Sequence, residues 1–350
     1  MLGRLAAYAA LAVPFGGLAV AMCQFDCGWY ERIALAGYGA DAEWPPHGSL
    51  PHWAFFPLYP LLLRLFAAAT RLAPDWAGIA LSSLCFAAFL GAGAAYLRRT
   101  RRGEAAPVRF VLLAAAMPFG LFFSATYTEA LFALLTTLAL LGLNTARPTA
   151  GAIAAALASA TRPGGVLLAP LFAVRGLAAW PREGARALVP AAIAPLGLLI
   201  YMAAQWLAVG DPIAFSHVQA LWDRSPRFPL LTLWDGLAVW DWSQLGGLMA
   251  GPSRSLFAAW GLLGLLVALW LAARRRWAEA WLLATAVLLP ASTGLDSLPR
   301  YVACHPVFLF AAHDAVARLG RPAAAAVLTA LAALGVIPVL AFMQAHGGVF

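Results

Sequence analysis

The chain has 350 residues, 63% of them hydrophobic and 11% charged, with a mean hydropathy of +0.80. A soluble fold of this length needs far more charge to cover its surface. The composition therefore excludes a water-soluble enzyme and predicts an all-α polytopic membrane protein. The formal net charge is +8 and all 23 basic residues are arginine; they gather in short loops between apolar segments, which marks membrane orientation and argues against nucleic acid as a partner.

In chain order, Arg4 opens an apolar run that gives a first span over 5–23. Ala19-Val20-Ala21 would suit signal-peptide cleavage, but about ten further spans favour an uncleaved first helix. The composition then changes abruptly, at Gln24-Phe-Asp-Cys-Gly-Trp-Tyr-Glu-Arg-Ile-Ala-Leu-Ala-Gly-Tyr-Gly39. Cys23 and Cys27 are read as packing residues on one helical face, a poor geometry for a disulfide. With Cys85 and Cys304 they make no metal-binding pattern. Segment 24–75 is the first long polar loop; within 54–72, Phe55, Leu58, Leu62, Leu65 and Phe66 share one helical face, which predicts an interfacial helix. Spans follow at 76–97, 110–125, 127–144, 149–160, 164–179 and 187–209. A second long loop, 210–255, precedes spans at 256–273, 277–293, 301–316 and 323–343. The total is about eleven in a single membrane domain, 1–350, and the short pairs around Tyr127 and Arg162 suit hairpins that do not cross fully.

Placing the start of the chain inside puts fifteen arginines and four acids in the inner loops, against eight and eleven outside. This obeys the positive-inside rule and makes 24–75 and 210–255 extracytoplasmic. Trp29, Trp44, Trp53, Trp222, Trp234, Trp240 and Trp242 would then lie at the outer interface, where amphipathic rings are favoured. The arginines at 98–102 and 274–276 read as topology signals. His47, His52, His217 and His305 lack metal-ligand spacing and read as surface or loop packing.

Ionisable groups in spans cost about 2.5–3.5 kcal/mol each at the bilayer centre, and here they gather at outer span ends. Asp26 tops the first span, Glu129 follows Ser124-Ala-Thr-Tyr-Thr128, Arg162 lies in Ala160-Thr-Arg-Pro-Gly-Gly165, and Arg300 lies in Asp296-Ser-Leu-Pro-Arg-Tyr301. Bland roles exist for each. Asp26 suits a helix N-cap, Glu129 and Arg162 suit a structural pair, and Arg162 and Arg300 suit snorkelling to lipid phosphates. Together, a carboxylate and two arginines suit glycosyl transfer from a lipid-phosphate sugar. The carboxylate accepts the acceptor's proton as the C–O bond forms, and the guanidinium forks match a departing phosphate.

The stretch Phe25-Asp-Cys-Gly-Trp-Tyr-Glu-Arg-Ile-Ala-Leu-Ala-Gly-Tyr38, followed by Ala54-Phe-Phe-Pro-Leu-Tyr-Pro60, resembles the PIG-V family of GT-C mannosyltransferases. So do Tyr127-Thr-Glu129, Thr161-Arg-Pro-Gly164, Gly210-Asp-Pro-Ile-Ala-Phe215 with Gln219, and Pro299-Arg-Tyr301, in the family's order over residues 20–305. Phe25 stands where the family has Trp, and Cys27 stands where the sister protein O-mannosyltransferases carry Glu. The resemblance implies a GT-C-like bundle with Asp26 as general base in an inverting, metal-independent reaction that needs no cofactor. It also implies a polyprenyl- or dolichyl-phosphate mannose donor. Arg162 and Arg300, each beside Pro or Gly turns at the outer surface, are expected on the donor phosphate; the family's acceptor does not carry over, and a glycan or glycolipid is expected in its place. Trp29, Tyr30, Arg32, Tyr38, Glu43, Phe56, Tyr127, Glu129, Gln219 and Tyr301 would bind substrate or support the site, with Glu43 or Asp41 as the next candidate base. The expected location is a bacterial cytoplasmic membrane, with the site on its outer face. A transporter or flippase is the alternative from another class; it would call for broken helices, polar groups at the midplane and inverted repeats.

Overall fold

The computed structural model describes residues 2–39, 51–101, 106–239 and 254–344. Asp41, Glu43, Trp44, His47, Trp240 and Trp242 lie outside the described residues. Among the described residues every regular element is helical. The protein is an all-α polytopic membrane protein. Four helical stretches, Pro74–Thr100, Pro163–Ile193, Arg254–Ala273 and Arg321–Met343, are long and apolar enough to cross a membrane. A fifth results if Leu196–Val209 and Ala214–Trp222, bent by 84°, count as one. Five of the other expected spans fall on shorter apolar helices, Leu2–Phe15, Glu129–Leu143, Pro148–Ser159, Trp277–Ala291 and Pro306–Val316; the one at 110–125 falls on the Ala106–Ala116 helix and the short turn of helix Gly120–Phe123.

Hydropathy averages across backbone breaks, and among the described residues the expected spans differ in length for that reason. The first apolar run breaks at Gly16 and Gly17, both with positive φ (84° and 93°), a conformation that costs glycine nothing. Pro163–Ile193 is not one straight rod either. At Gly184 the chain turns back, so a Cβ on Gly176 would lie 2.6 Å from the Ala187 carbonyl oxygen. The two expected segments at 164–179 and 187–209 are therefore arms meeting at this turn.

Lipid tails are as apolar as leucine, so close fit and polar bonds, more than water exclusion, hold such helices together. The Glu129–Leu143 and Pro148–Ser159 helices touch backbone to backbone, where a Cβ on Gly142 would meet the Gly151 Cα at 2.3 Å. Phe86, Phe89, Phe110, Phe123 and Phe310 form a buried aromatic interior along the Pro74–Thr100 helix. In the first loop, the Leu58–Thr70 helix buries Tyr59, Pro60 and Leu63. Leu65, expected on its apolar face, is 57% exposed, and on the buried side the Tyr59 hydroxyl bonds Ser82 at 2.7 Å.

Two arginines read as topology signals are internal. Arg101 pairs with Glu279 (3.2 Å) and Asp314 (3.1 Å), and Arg276 pairs with the same two acids. The Tyr96 hydroxyl donates to Glu279 at 2.7 Å. Arg4, expected in an inner loop, has its guanidinium buried 4.4 Å from the Phe86 ring and donates to the Ser124 hydroxyl at 2.6 Å. Phe86 lies halfway along its helix, so polar groups do not spare the middle of the bundle.

Candidate active site

Asp26 ends the irregular turn between the Leu18–Ala21 and Cys27–Ala36 helices. Phe25 has φ 53°, a left-handed conformation that strains an aromatic residue. This turn brings Cys23 and Cys27 together in a disulfide with Cα atoms 5.1 Å apart. The helical reading of 23–27 is thereby corrected: the chain is not helical at Gln24 and Phe25, so the two Cβ atoms converge. Asp26 occupies the N-cap position but makes no capping bond. Its Oδ2 instead accepts from Arg300 at 2.7 Å. Its backbone N–H donates to the Tyr127 hydroxyl (3.1 Å), which itself donates to the Gln24 carbonyl (2.8 Å). Tyr127 is held in turn by Ser82, whose hydroxyl donates to the Tyr127 carbonyl at 3.3 Å.

Glu129 opens the Glu129–Leu143 helix, where a carboxylate favours the positive end of the macrodipole. It is buried and ion-paired to Arg162, with Arg300 Nε 3.7 Å away. Arg162 is extended (φ −156°, ψ 150°) between two helical segments. Its turn is folded so tightly onto the preceding helix that a Cβ on Gly165 would lie 2.3 Å from the Ala158 carbonyl carbon. Arg162 Nε donates to Thr128 Oγ1 at 2.6 Å, and the Leu58 N–H donates to the Ala160 carbonyl at 3.0 Å, tying the first loop to this turn. The Tyr301 ring stands between the guanidiniums, 5.1 Å from Arg162 and 5.2 Å from Arg300.

The four charges balance formally, but the set is not a closed structural network. Neither Glu129 oxygen nor Arg300 Nε has an aligned hydrogen-bond partner, an expensive condition for buried groups. Snorkelling does not describe the arginines either, since both side chains point inward at 17% and 8% exposure.

All four residues line one cavity of about 370 Å³. Of the expected supporting residues, Tyr30, Phe56, Gln219 and Tyr301 line it too. Trp29, Arg32, Tyr38 and Tyr127 do not, and act from behind. Trp29 stacks on Phe55 at 5.7 Å and Arg32 lies over Trp29 at 5.4 Å. Tyr38 stacks on Trp53 at 4.5 Å and donates to the Phe55 carbonyl at 2.5 Å. Its walls include apolar side chains, Phe132, Leu167, Leu282, Ala286 and Leu289, and polar or amphipathic ones, Trp222, Arg224, Thr293 and Asp296. His305, expected in surface or loop packing, is buried in the cavity wall. His52 is buried against the Tyr38 carbonyl, whereas His217 is exposed and pairs with Asp211. Arg224, Asp296 and His305 were not expected in the site; their approach to Asp26 is a tertiary fact with no local signal. Among the described residues, Cys23, Cys27 and Glu31 are the one group close enough to share a metal ion, but the disulfide commits both sulfurs.

No family model matches the chain. No curated protein matches it either. Among solved structures, the archaeal oligosaccharyltransferase AglB from Archaeoglobus fulgidus, in complex with an inhibitory peptide and a dolichol-phosphate, is similar at 14% identity and a TM-score of 0.44. The match covers 100% of this chain and 56% of that one, so the chain spans about half the length of that protein. A likeness at this level assigns neither a family nor an activity.

Proposed function

We propose that the protein is a membrane glycosyltransferase that moves a hexose from a polyprenyl-phosphate donor to a hydroxyl acceptor with inversion, at the outer face of a bacterial cytoplasmic membrane. The observation that carries this reading is the meeting of Asp26, Glu129, Arg162 and Arg300, from four separated parts of the chain, in one cavity whose walls are both apolar and polar. A lipid-linked sugar phosphate has matching chemistry: an isoprenoid for apolar walls, a phosphate for the guanidiniums and a sugar for polar side chains.

Asp26 Oδ2 is engaged by Arg300, which leaves the other carboxylate oxygen to accept the acceptor's proton as the new C–O bond forms. The anomeric carbon's bond to the phosphate oxygen breaks in the same step, and the electron pair leaves on the polyprenyl phosphate. Its growing charge falls to Arg162 and Arg300, whose forks are already oriented by Thr128, Glu129 and the Tyr301 ring. The donor phosphate must compete with Asp26 for Arg300, so donor binding loosens the Asp26–Arg300 pair and frees the base. The PIG-V resemblance favours mannose as the hexose.

The test is incubation of the purified protein, in lipid nanodiscs, with polyprenyl-phosphate mannose and polyprenyl-phosphate glucose, following release of polyprenyl phosphate. Consumption of either donor, lost in Asp26→Asn, is the expected result. If neither donor is consumed with or without cell-envelope acceptors, the proposal fails.

A further inference from the structure

Outside the charged quartet, one covalent feature touches the site directly. The Cys23–Cys27 disulfide closes a five-residue ring of chain, and Asp26 lies inside it. Cys27 is fully buried and Cys23 half-buried. Between them Phe25 keeps the left-handed φ of 53°, which a phenylalanine leaves readily when nothing holds it. Around it stand the crosslink, the Tyr127 hydroxyl, which bonds Gln24 on one side of Phe25 and Asp26 on the other, and the Phe342 ring, 5.8 Å from the Phe25 ring.

We infer that the Cys23–Cys27 disulfide is a positioning clasp for the Asp26 carboxylate, and that transfer is switched down when a thiol reductant opens it. This rests on the glycosyltransferase reading of the site. The cysteines touch neither donor nor acceptor; they act through Asp26. A dithiol such as dithiothreitol delivers two electrons and two protons to the S–S bond. Cys23 and Cys27 become thiols and the reagent becomes its cyclic disulfide. The turn then loses its one covalent restraint and is left to the Tyr127 bonds and noncovalent packing of Phe25; it relaxes about Phe25, and the carboxylate drifts from its place beside Arg300.

A displacement of about 1 Å at a reacting group can cost about 100-fold in rate, so opening the clasp should lower kcat by about 10- to 100-fold. The donor KM should hold or fall, because Arg162 and Glu129 lie on other elements and the phosphate then competes less with Asp26 for Arg300. Reoxidation should restore kcat. In Asp26→Asn, whose base is already lost, reduction should change the residual turnover by no more than about twofold, since two perturbations of one device do not add.

The experiment compares oxidised and dithiothreitol-treated wild-type protein, with thiol counts to verify opening, alongside the Cys23→Ser/Cys27→Ser variant and Asp26→Asn. A second readout is independent of activity: the rate at which a water-soluble carbodiimide modifies Asp26, followed by mass spectrometry relative to exposed Asp223. That rate should rise on reduction as the Arg300 pair loosens. If the serine variant does not fold, the reduced wild-type protein supplies the same comparison. An unchanged kcat with both thiols free overturns the clasp, as does an equal fall in wild type and Asp26→Asn, the mark of a merely structural crosslink. If oxidised wild type transfers no sugar at all, the glycosyltransferase reading fails, and the carbodiimide rate alone decides the clasp.

Discussion

Replacing Asp26 by Asn separates chemistry from folding, and the geometry fixes how large each effect should be. Asn keeps the side-chain volume and an oxygen that can still accept from Arg300, so only the charge and the proton-accepting capacity disappear. The Asp26–Arg300 contact is 2.7 Å; charge centres about 4 Å apart attract by about 4 kcal/mol at an effective dielectric of 20. Asp26 is 31% exposed to the cavity and Arg300 retains Glu129 at 3.7 Å, so solvent screening and the second acid reduce the net effect on folding to about 1 kcal/mol. Transfer should fall far more, by about 10²–10⁴-fold. Donor affinity should hold or improve, because the phosphate no longer competes with a carboxylate for Arg300. Single-turnover transfer, equilibrium donor binding and a detergent-melting midpoint measure the three quantities separately. A normal transfer rate would put the base elsewhere, with Glu43 and Asp41 the next carboxylates to test. Loss of folding would return Asp26 to a structural role.

Arg162→Lys and Arg300→Lys keep the charge but lose the planar fork; each should raise the donor KM and lower kcat, by about tenfold or more in kcat/KM, and wild-type kinetics in both would remove the arginines from the phosphate site. Arg101→Met breaks the network with Glu279 and Asp314 and should cost about 3 kcal/mol of stability; donor KM should not change, and a shift in it would refute the separation of that network from the site. Ser225→Cys should react with a membrane-impermeant maleimide in intact cells, against a quiet background, since Cys23–Cys27 is closed and Cys85 and Cys304 are buried. Protection of Ser225→Cys until lysis would overturn the outer location of 210–255.

The helical membrane class was legible because apolar composition at this level leaves no other solution. The meeting of Asp26, Glu129, Arg162 and Arg300 was legible for a related reason: an ionisable residue at a span end needs a partner, and four such ends invite one another. Breaks inside apolar runs were not, because hydropathy is blind to Gly16, Gly17 and Gly184. The disulfide was hidden by reading Cys23 to Cys27 as helix, where the left-handed Phe25 replaces the helical turn. Arg101 and Arg276 were hidden by their neighbours, since an arginine in a basic loop gives no sign that it turns inward. Arg224 and Asp296 stood in polar loops, where charge carries no signal of its own. Trp29, Arg32 and Tyr38 belong to the motif that carries the resemblance, yet they buttress the first loop without facing the cavity.

The Pro74–Thr100 helix is fastened at two levels, through Ser82 to Tyr127 and through Tyr96 to Glu279, which the adjoining Arg101 also bonds. At 1.5 Å per residue Ser82 and Tyr96 are about 21 Å apart, within the roughly 30 Å hydrocarbon thickness of a typical bilayer. A helix pinned at two levels cannot tilt freely to suit a thinner or thicker membrane. Hydrophobic mismatch must then be absorbed by the lipid around the protein. The depth of Asp26 in the bilayer is accordingly a dimension of the protein; under the proposed function, bilayers of different acyl length would change how easily a lipid-borne substrate arrives while leaving the site itself unaltered.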